Sequence, residues 1–122
     1  EEPTGTAKIT RAYNLPSSFV IHTVGPIFHI ERSELCQKLL VSCYRSCLDV
    51  ASQVDSIKSI AFCCISTGVF MFPQEEAAKI AVQTVDEWLT EHPGRFDQIV
   101  FNVFTERDLE IYTSLLNSGH EL

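Results

Sequence analysis

The sequence predicts a layered α/β domain in which at least some of the strands pair in parallel. Short apolar segments of strand length alternate with longer segments whose apolar residues recur at helical spacing. The predicted order is β-β-α-β-α-β-α, and strands that alternate with amphipathic helices are typical of sheets with parallel pairing. The run SIAFCCI, residues 59–65, is apolar without alternation, which indicates a strand buried on both faces.

The first three elements precede that run. Residues 7–14 alternate moderately between apolar and polar side chains and are predicted as a strand, and the LPSS segment after them is a turn. Residues 19–24 form a second apolar strand, which ends at Gly25-Pro26. A helix is predicted from Ser33, a suitable N-cap, to about Ala51. Its apolar face comprises Cys36, Leu39, Leu40, Cys43, Cys47 and Leu48.

The remaining elements follow the run at 59–65. Pro73 begins a second helix with an acidic first turn, which suits the positive end of the helix dipole. The segment His92-Pro93-Gly94 ends this helix. Residues 98–104 form the last strand, and the segment TERDLEIYTSLL forms the last helix, with Thr105 as its cap. The buried stripe of the second helix comprises Ala78, Ala81, Val82, Val85, Trp88 and Leu89.

Composition limits the classes of function. The chain has 122 residues, enough for one domain over residues 1–122, and 45% of them are hydrophobic. No apolar run reaches the roughly 18 residues of a membrane span, and the acidic N-terminal segment is no signal peptide. The net charge is −7, so the sequence offers no basic surface for nucleic acid. We therefore expect a cytoplasmic protein with neither nucleic acid nor membrane as a partner.

Five cysteines could be core residues or metal ligands. They are Cys36, Cys43, Cys47, Cys63 and Cys64. Their number is odd and no C-x-x-C pair occurs, which favours reduced, buried thiols in a cytosolic protein. The three in the first helix share one face, so a metal site is the alternative. Leu40 lies on the same face, which favours the core interpretation.

The loop CISTGVFMFP, residues 64–73, is unusual because it combines small hydroxyl residues, a glycine and aromatic residues. In open α/β sheets, ligands bind at the carboxyl ends of the strands, where this loop lies. Gly68 would let the backbone approach an anion closely, and the hydroxyls of Ser66 and Thr67 would add donors. Phe70 and Phe72 would offer flat surfaces to a sugar or base. The alternative is a strand-to-helix turn whose aromatic residues fill the core.

The end of the last strand offers two further candidates. Phe104 would lie beside the first loop if the two strands are neighbours, and an aromatic ring there can stack on a base. Its alternative role is a core residue at the end of a strand. Asn102 interrupts an apolar run, so it is either a ligand contact or a hydrogen-bonded core residue, and the latter is commoner.

Three ordered blocks carry a resemblance to a known family. The blocks GTAKITRAYNLPSSFVIHTVGP, SIAFCCISTGVFMFPQEEAAKIAVQTVDEWL and FNVFTERDLEIY together resemble the second half of a macrodomain, the ADP-ribose-binding module. The hydrolase-type macrodomains, which remove ADP-ribose from proteins, are the most similar. EPTGTAKIT and LLVSCYRSCLDVA resemble the microbial zinc-containing subgroup. The resemblance implies a three-layer α/β/α fold with a mixed sheet that is incomplete at the N-terminus.

The resemblance also implies roles for single residues. Phe104 matches the aromatic residue near the adenine, and we place Asn102 beside it. His22 matches a position with a structural role, which agrees with a histidine satisfied in the core. The resemblance assigns no catalytic residue in this chain. The positions that match the loop around the diphosphate and distal ribose are Ser66, Thr67, Gly68, Val69 and Phe70.

Two departures from the family pattern bear on function. Met71 stands where the family usually has a glycine, so its side chain could narrow the pocket or alter the loop. The first half of the family pattern, with its distal-ribose loop and zinc ligands, has no counterpart here. We therefore expect no cofactor in this chain, zinc only in a missing half, and no activity for the chain alone. ADP-ribose or an ADP-ribosylated protein is the expected partner, and an unpaired sheet edge would favour self-association. A non-catalytic reader or an inactive fragment is the alternative.

Overall fold

The computed structural model describes residues 3–11, 18–66 and 71–117. Strands and helices follow one another in the predicted order. The N-terminal elements are β1 (Ala7–Arg11), β2 (Phe19–Thr23), a short 3-10 turn (Ile30–Arg32) and α1 (Ser33–Ser52). The later elements are β3 (Ser59–Phe62), α2 (Gln74–Glu91), β4 (Gln98–Phe101) and α3 (Glu106–Asn117). None of the helices in these ranges is long and apolar enough to cross a membrane.

The strands in the described residues form two two-stranded sheets. β1 and β2 are antiparallel, with Ile9 opposite Ile21. β3 and β4 are parallel, with Ile60 opposite Ile99, so the predicted parallel pairing is confirmed. β3 and β4 end earlier than predicted: the Asn102 amide donates to the Phe62 carbonyl at 2.7 Å, and after this hydrogen bond both chains leave the sheet.

Only one face of each sheet is covered by the described helices. α1, α2 and α3 pack in a row. The Phe62 ring packs against Tyr44 of α1, and the neighbouring Phe101 ring packs against Tyr112 of α3. The prediction that β3 is buried on both faces is therefore wrong for this chain. Burial alternates along the strand, and Ser59 and Ala61 are exposed on the face opposite the helices.

His22 lies on β2. Its side chain is exposed, and its Nε2 lies 3.1 Å from the Thr10 hydroxyl of β1. The prediction of a histidine buried in the core is wrong. The adjacent Ile21 packs against the core instead, since successive side chains of a strand alternate between faces.

The helices are joined by polar contacts that a purely apolar stripe does not predict. The Trp88 side chain of α2 is fully buried, and its indole N–H donates to the Asp49 carboxylate of α1 at 2.8 Å. The Arg95 guanidinium caps the end of α1, where helical carbonyls lack intrahelical partners. The carbonyl oxygens that it contacts belong to Ala51, Ser52, Val54 and Ile57.

The helical cysteines belong to the core, as predicted. Cys36, Cys43 and Cys47 are buried in one cluster with Leu40. Burial raises the pKa of the Cys43 thiol and raises the pKa of Cys47 to about 12, so both thiols stay protonated and unreactive. Within residues 3–11, 18–66 and 71–117, no three His, Cys, Asp or Glu side chains are grouped to hold a metal ion. Cys63 is exposed, so the expectation of five buried thiols is wrong there, because β3 has an open face.

We expect thiol reactivity to separate Cys63 from the helical cysteines. At pH 8 the raised pKa of Cys47 lowers its thiolate fraction about a thousandfold relative to the unfolded chain. A chromogenic disulfide reagent should therefore modify Cys63 quickly in the native chain and reach Cys36, Cys43 and Cys47 only on denaturation. Cys63→Ser should remove the fast phase. Equal rates for Cys47 and Cys63 in the native chain would contradict the buried placement.

Candidate functional site

Two loops meet where β2 and β3 end. The Gly25 backbone, just after β2, lies directly against Ser66, just after β3: a Cβ atom at Gly25 would collide with the Ser66 hydroxyl and lie 2.8 Å from Ile65 Cγ2. Farther along the same two loops, the rings of Phe28 and Phe72 pack with their centroids 5.1 Å apart. The carboxyl ends of both strands therefore share one edge, and β2 and β3 run in the same direction.

Ser66 is held in an unusual state at the start of the predicted ligand loop. Its φ of 67° is left-handed, which a residue other than glycine adopts only at a cost. Its side chain is 8% exposed, and its buried hydroxyl has no hydrogen-bond partner among the described residues. Because buried hydroxyls in native structures are nearly always hydrogen-bonded, a partner from outside these residues is expected at this point.

A backbone hydrogen bond closes the base of the loop. The Phe72 amide donates to the Ser66 carbonyl at 2.9 Å, so the two ends of the segment between them lie close together. Residues 67–70, which include four of the five predicted diphosphate contacts, lie outside the described residues.

Phe72 is only 2% exposed, so the prediction that its ring offers a surface to a ligand is wrong. The ring fills the core beneath the loop, as the alternative interpretation proposed.

Met71 follows this loop in a backbone conformation that suits glycine. Its φ is 60°, and its side chain is 76% exposed. The side chain therefore packs little, while the Cβ atom is strained by the left-handed backbone. Of the two effects expected for methionine in place of the family's glycine, the structure favours the change in loop backbone over a narrower pocket.

Replacing Met71 with glycine is expected to stabilise the chain. Glycine relieves the strain of the left-handed backbone, which stabilises the folded chain, but it also gives the unfolded chain more conformational freedom, which offsets part of this gain. The net result should be a free energy of unfolding that is higher by about 0.5–1 kcal/mol. Met71→Ala keeps the strain and removes an exposed side chain, so it should leave stability almost unchanged. Denaturant unfolding of the three proteins makes the comparison. Equal stabilities for Met71→Gly and Met71→Ala would contradict a strained backbone.

The end of β4 lies at the same edge because β3 and β4 are parallel. The Cys64 thiol, on the β3 side, lies 3.7 Å from the Asn102 carbonyl. The Asn102 side chain is exposed, so its alternative role as a buried core polar group is wrong. Phe104 is 84% exposed, which also excludes its alternative role as a core residue of the strand end. Both side chains are thus free to meet a ligand, and that contact stays a prediction.

Two helices begin at this edge as well. The Thr105 hydroxyl accepts a hydrogen bond from the Asp108 amide at 3.1 Å, so the predicted cap of α3 is confirmed. The buried Asp108 carboxylate accepts a hydrogen bond from Gln74 at the start of α2, at 3.0 Å. This bond fixes the two helix N-termini side by side. Their positive dipole ends favour an anion at the edge of the sheet, without any basic side chain.

The geometry adds two residues that the sequence interpretation did not include in the site. Gly25 was assigned only as the end of a strand, and Phe28 was not considered. The Gly-Pro pair directly after a strand was the available signal, because a glycine at a strand end often marks a close backbone approach. Together, the two loops can bind an anion through backbone amides and a hydroxyl, and the exposed Phe104 can stack on an aromatic group.

Comparison with known proteins gives one consistent result. The Macro domain family matches residues 1–81. A Staphylococcus aureus protein named protein-ADP-ribose hydrolase is 54% identical over 121 residues, which are 98% of this chain and 45% of that protein. A human ADP-ribose glycohydrolase is 47% identical over 116 residues, which are 93% of this chain and 27% of that protein.

Solved structures agree in fold. An Oceanobacillus iheyensis macrodomain with ADP superimposes with a TM-score of 0.87 at 42% identity, over 98% of this chain and 60% of that chain. The chain thus spans less than half the length of the curated relatives that it matches, and somewhat more of the solved macrodomain. The predicted macrodomain-like α/β fold is confirmed by this likeness. On the family match and these relatives, the chain belongs to the macrodomain family.

Proposed function

We propose that this chain forms the diphosphate-binding part of a macrodomain that removes ADP-ribose from modified proteins. The observation that carries the proposal is the contact between Gly25 and Ser66, which sets a closed loop at the carboxyl edge of the strands. Relatives that are 54% and 47% identical to this chain over the aligned residues are named for ADP-ribose hydrolysis, and a similar solved macrodomain holds ADP.

The diphosphate would bind to backbone amides and hydroxyls. We assign this contact, and that with the distal ribose, to Ser66, Thr67, Gly68, Val69 and Phe70. The buried Ser66 hydroxyl lacks a partner within the described part of the chain, and a phosphate oxygen would supply an acceptor. Anion binding by amides also suits a chain whose net charge is −7, since it needs no basic surface.

The adenine end of the ligand would lie toward β4. Phe104 is the most exposed aromatic ring among the large exposed hydrophobic side chains, and nothing in the core requires it there. Its ring would stack on the base, and the exposed Asn102 amide would hydrogen-bond beside it. Because β3 and β4 are adjacent and parallel, one ligand could reach both Ser66 and Phe104.

The chemistry would be attack of water on the anomeric carbon of the distal ribose, with the modified side chain as the leaving group. This chain would contribute by fixing the diphosphate, so that the ribose is held in a near-attack geometry. We assign no nucleophile or general base to it. Any zinc in the intact protein would be held by residues beyond this chain, because Cys36, Cys43 and Cys47 are enclosed in the core.

The test uses a chimeric domain, in which this chain replaces the 121 matching residues of the Staphylococcus aureus relative. We expect the chimeric domain to bind ADP-ribose and to release it from a modified protein, within about tenfold of the relative itself. Binding without release would support the alternative of a reader. A folded chimeric domain that does not bind ADP-ribose would overturn the proposal.

A further inference from the structure

Two separate segments of chain carry the contacts proposed for the two ends of the ligand. The closed loop assigned to the diphosphate runs through Phe72 and Pro73 into α2, and the exposed Phe104 leads through Thr105 into α3. Both segments follow parallel neighbours, β3 and β4, at the same edge of the sheet. The separation between the two proposed contacts therefore depends on how the start of α2 is held against the start of α3.

A side-chain hydrogen bond holds these two helix starts together. Gln74 is the first residue of α2, and its Nε2 donates to Oδ1 of Asp108, the third residue of α3, at 3.0 Å. The first turn of α2 is closed by the Ala77 amide, which donates to the Pro73 carbonyl at 2.9 Å. In α3, the Asp108 amide donates to the Thr105 hydroxyl at 3.1 Å. The bond between the two side chains thus joins two first turns that are themselves hydrogen-bonded.

The burial of Asp108 is more than a helix start requires. An acidic residue in the first turn stabilises a helix through the helix dipole while it stays in water. Asp108 is instead only 6% exposed, and a buried carboxylate costs free energy unless hydrogen bonds satisfy it. Its bond to Gln74 is assisted by charge, which makes it stronger than a bond between neutral groups. The buried position therefore indicates a role between the two helices.

Asp108 also acts on the end of β3. Burial, and after it the negative charge of Asp108, raise the pKa of the Cys64 thiol. Cys64 lies just before the diphosphate loop, and its thiol is 3.7 Å from the Asn102 carbonyl at the end of β4. The Asp108 carboxylate thus lies near the point where the two strands are followed by the two segments.

We propose that Gln74 and Asp108 are positioning residues that set the distance between the diphosphate loop and Phe104. A ligand with an adenine base joined to a diphosphate would then bind tightly only when both of its ends meet their contacts at once. Once one end is bound, the second contact is intramolecular, and its contribution depends on the spacing of the two contacts. A ligand that occupies the loop alone gains nothing from that spacing. The inference rests on the proposed function and deepens it, because it names what selects the length of the ligand.

The experiment compares two ligands on the chimeric domain. ADP spans both contacts, whereas inorganic pyrophosphate occupies only the loop. Gln74→Leu has a side chain of similar size that cannot donate to Asp108. We expect it to weaken ADP binding about tenfold and to change pyrophosphate binding by less than about twofold, both measured by calorimetric titration. Equal losses for the two ligands, or no loss for either, would overturn the inference.

Two further variants separate spacing from charge and from folding. Asp108→Asn keeps the Oδ1 acceptor for Gln74 and removes the negative charge, so it should preserve the ratio of the dissociation constants of ADP and pyrophosphate. A changed ratio in Asp108→Asn would show that the charge sets the preference, and would overturn the inference. If Gln74→Leu does not fold, Gln74→Asn replaces it: its amide is one methylene shorter and should shift the ratio in the same direction.

The outcomes also distinguish this inference from the proposed function. If the unsubstituted chimeric domain folds but binds neither ligand, the proposed function fails and the inference fails with it. If the unsubstituted domain binds ADP and the ratio is unchanged in Gln74→Leu, only the inference is overturned.

Discussion

The 122-residue chain alone is expected to release ADP-ribose from a modified protein at least about 100-fold more slowly than the chimeric domain. The chain contains the loop assigned to the diphosphate but no residue assigned to attack or activate water. Misplacement of the reacting atoms by about 1 Å can already cost about 100-fold in rate. Single-turnover release of labelled ADP-ribose, with both proteins at equal concentration, measures the ratio.

The control for this prediction restores the rest of the domain in trans. Adding a separate polypeptide, the part of the Oceanobacillus iheyensis macrodomain that its match to this chain does not cover, should recover part of the activity of the isolated chain. Circular dichroism must show that the isolated chain is folded, so that inactivity is not merely unfolding. If the folded, monomeric 122-residue chain turned over as fast as the chimeric domain, the catalytic groups would lie within this chain, and their assignment to the rest of the domain would be wrong.

Local features were the most predictable from sequence. Pro73 and the acidic residues after it mark the start of α2, and the face shared by Leu40 and Cys43 correctly indicated a buried helix side. These signals are carried by neighbours in the sequence, within one or two helical turns. The cap at Thr105 was predictable for the same reason.

Features that depend on distant parts of the chain were not predictable. Phe72 and Phe104 are both aromatic residues next to a predicted ligand edge, yet Phe72 is buried against Phe28 and Phe104 is exposed. The apolar run of β3 indicated burial on two faces, and Ala61 is exposed because no described element covers that face. Burial of a strand is decided by the layers around it, which the strand's own residues do not specify.

Gly25→Ala is expected to weaken ADP-ribose binding by the chimeric domain about 100-fold and to lower its free energy of unfolding by about 1–3 kcal/mol. The added Cβ would meet the Ser66 hydroxyl and lie 2.8 Å from Ile65, so the start of the closed loop must shift. Gly25 does not have a positive φ, which means that alanine introduces a collision without backbone strain. Calorimetric titration and denaturant unfolding measure the two effects.

Two comparisons separate a collision at the site from a general loss of stability. Gly94→Ala has open space for its Cβ but a φ of 77°, so it should lower stability by about 1 kcal/mol and leave ADP-ribose binding unchanged.

Adding Ser66→Ala to Gly25→Ala removes the hydroxyl that collides with the new Cβ. The double variant should therefore recover part of the lost stability, a coupling that distant residues would not show. Binding should recover less than stability, because the proposed phosphate donor is gone. Additive losses for the pair would mean that Gly25 and Ser66 do not meet as described, and the two loops would then not form one site.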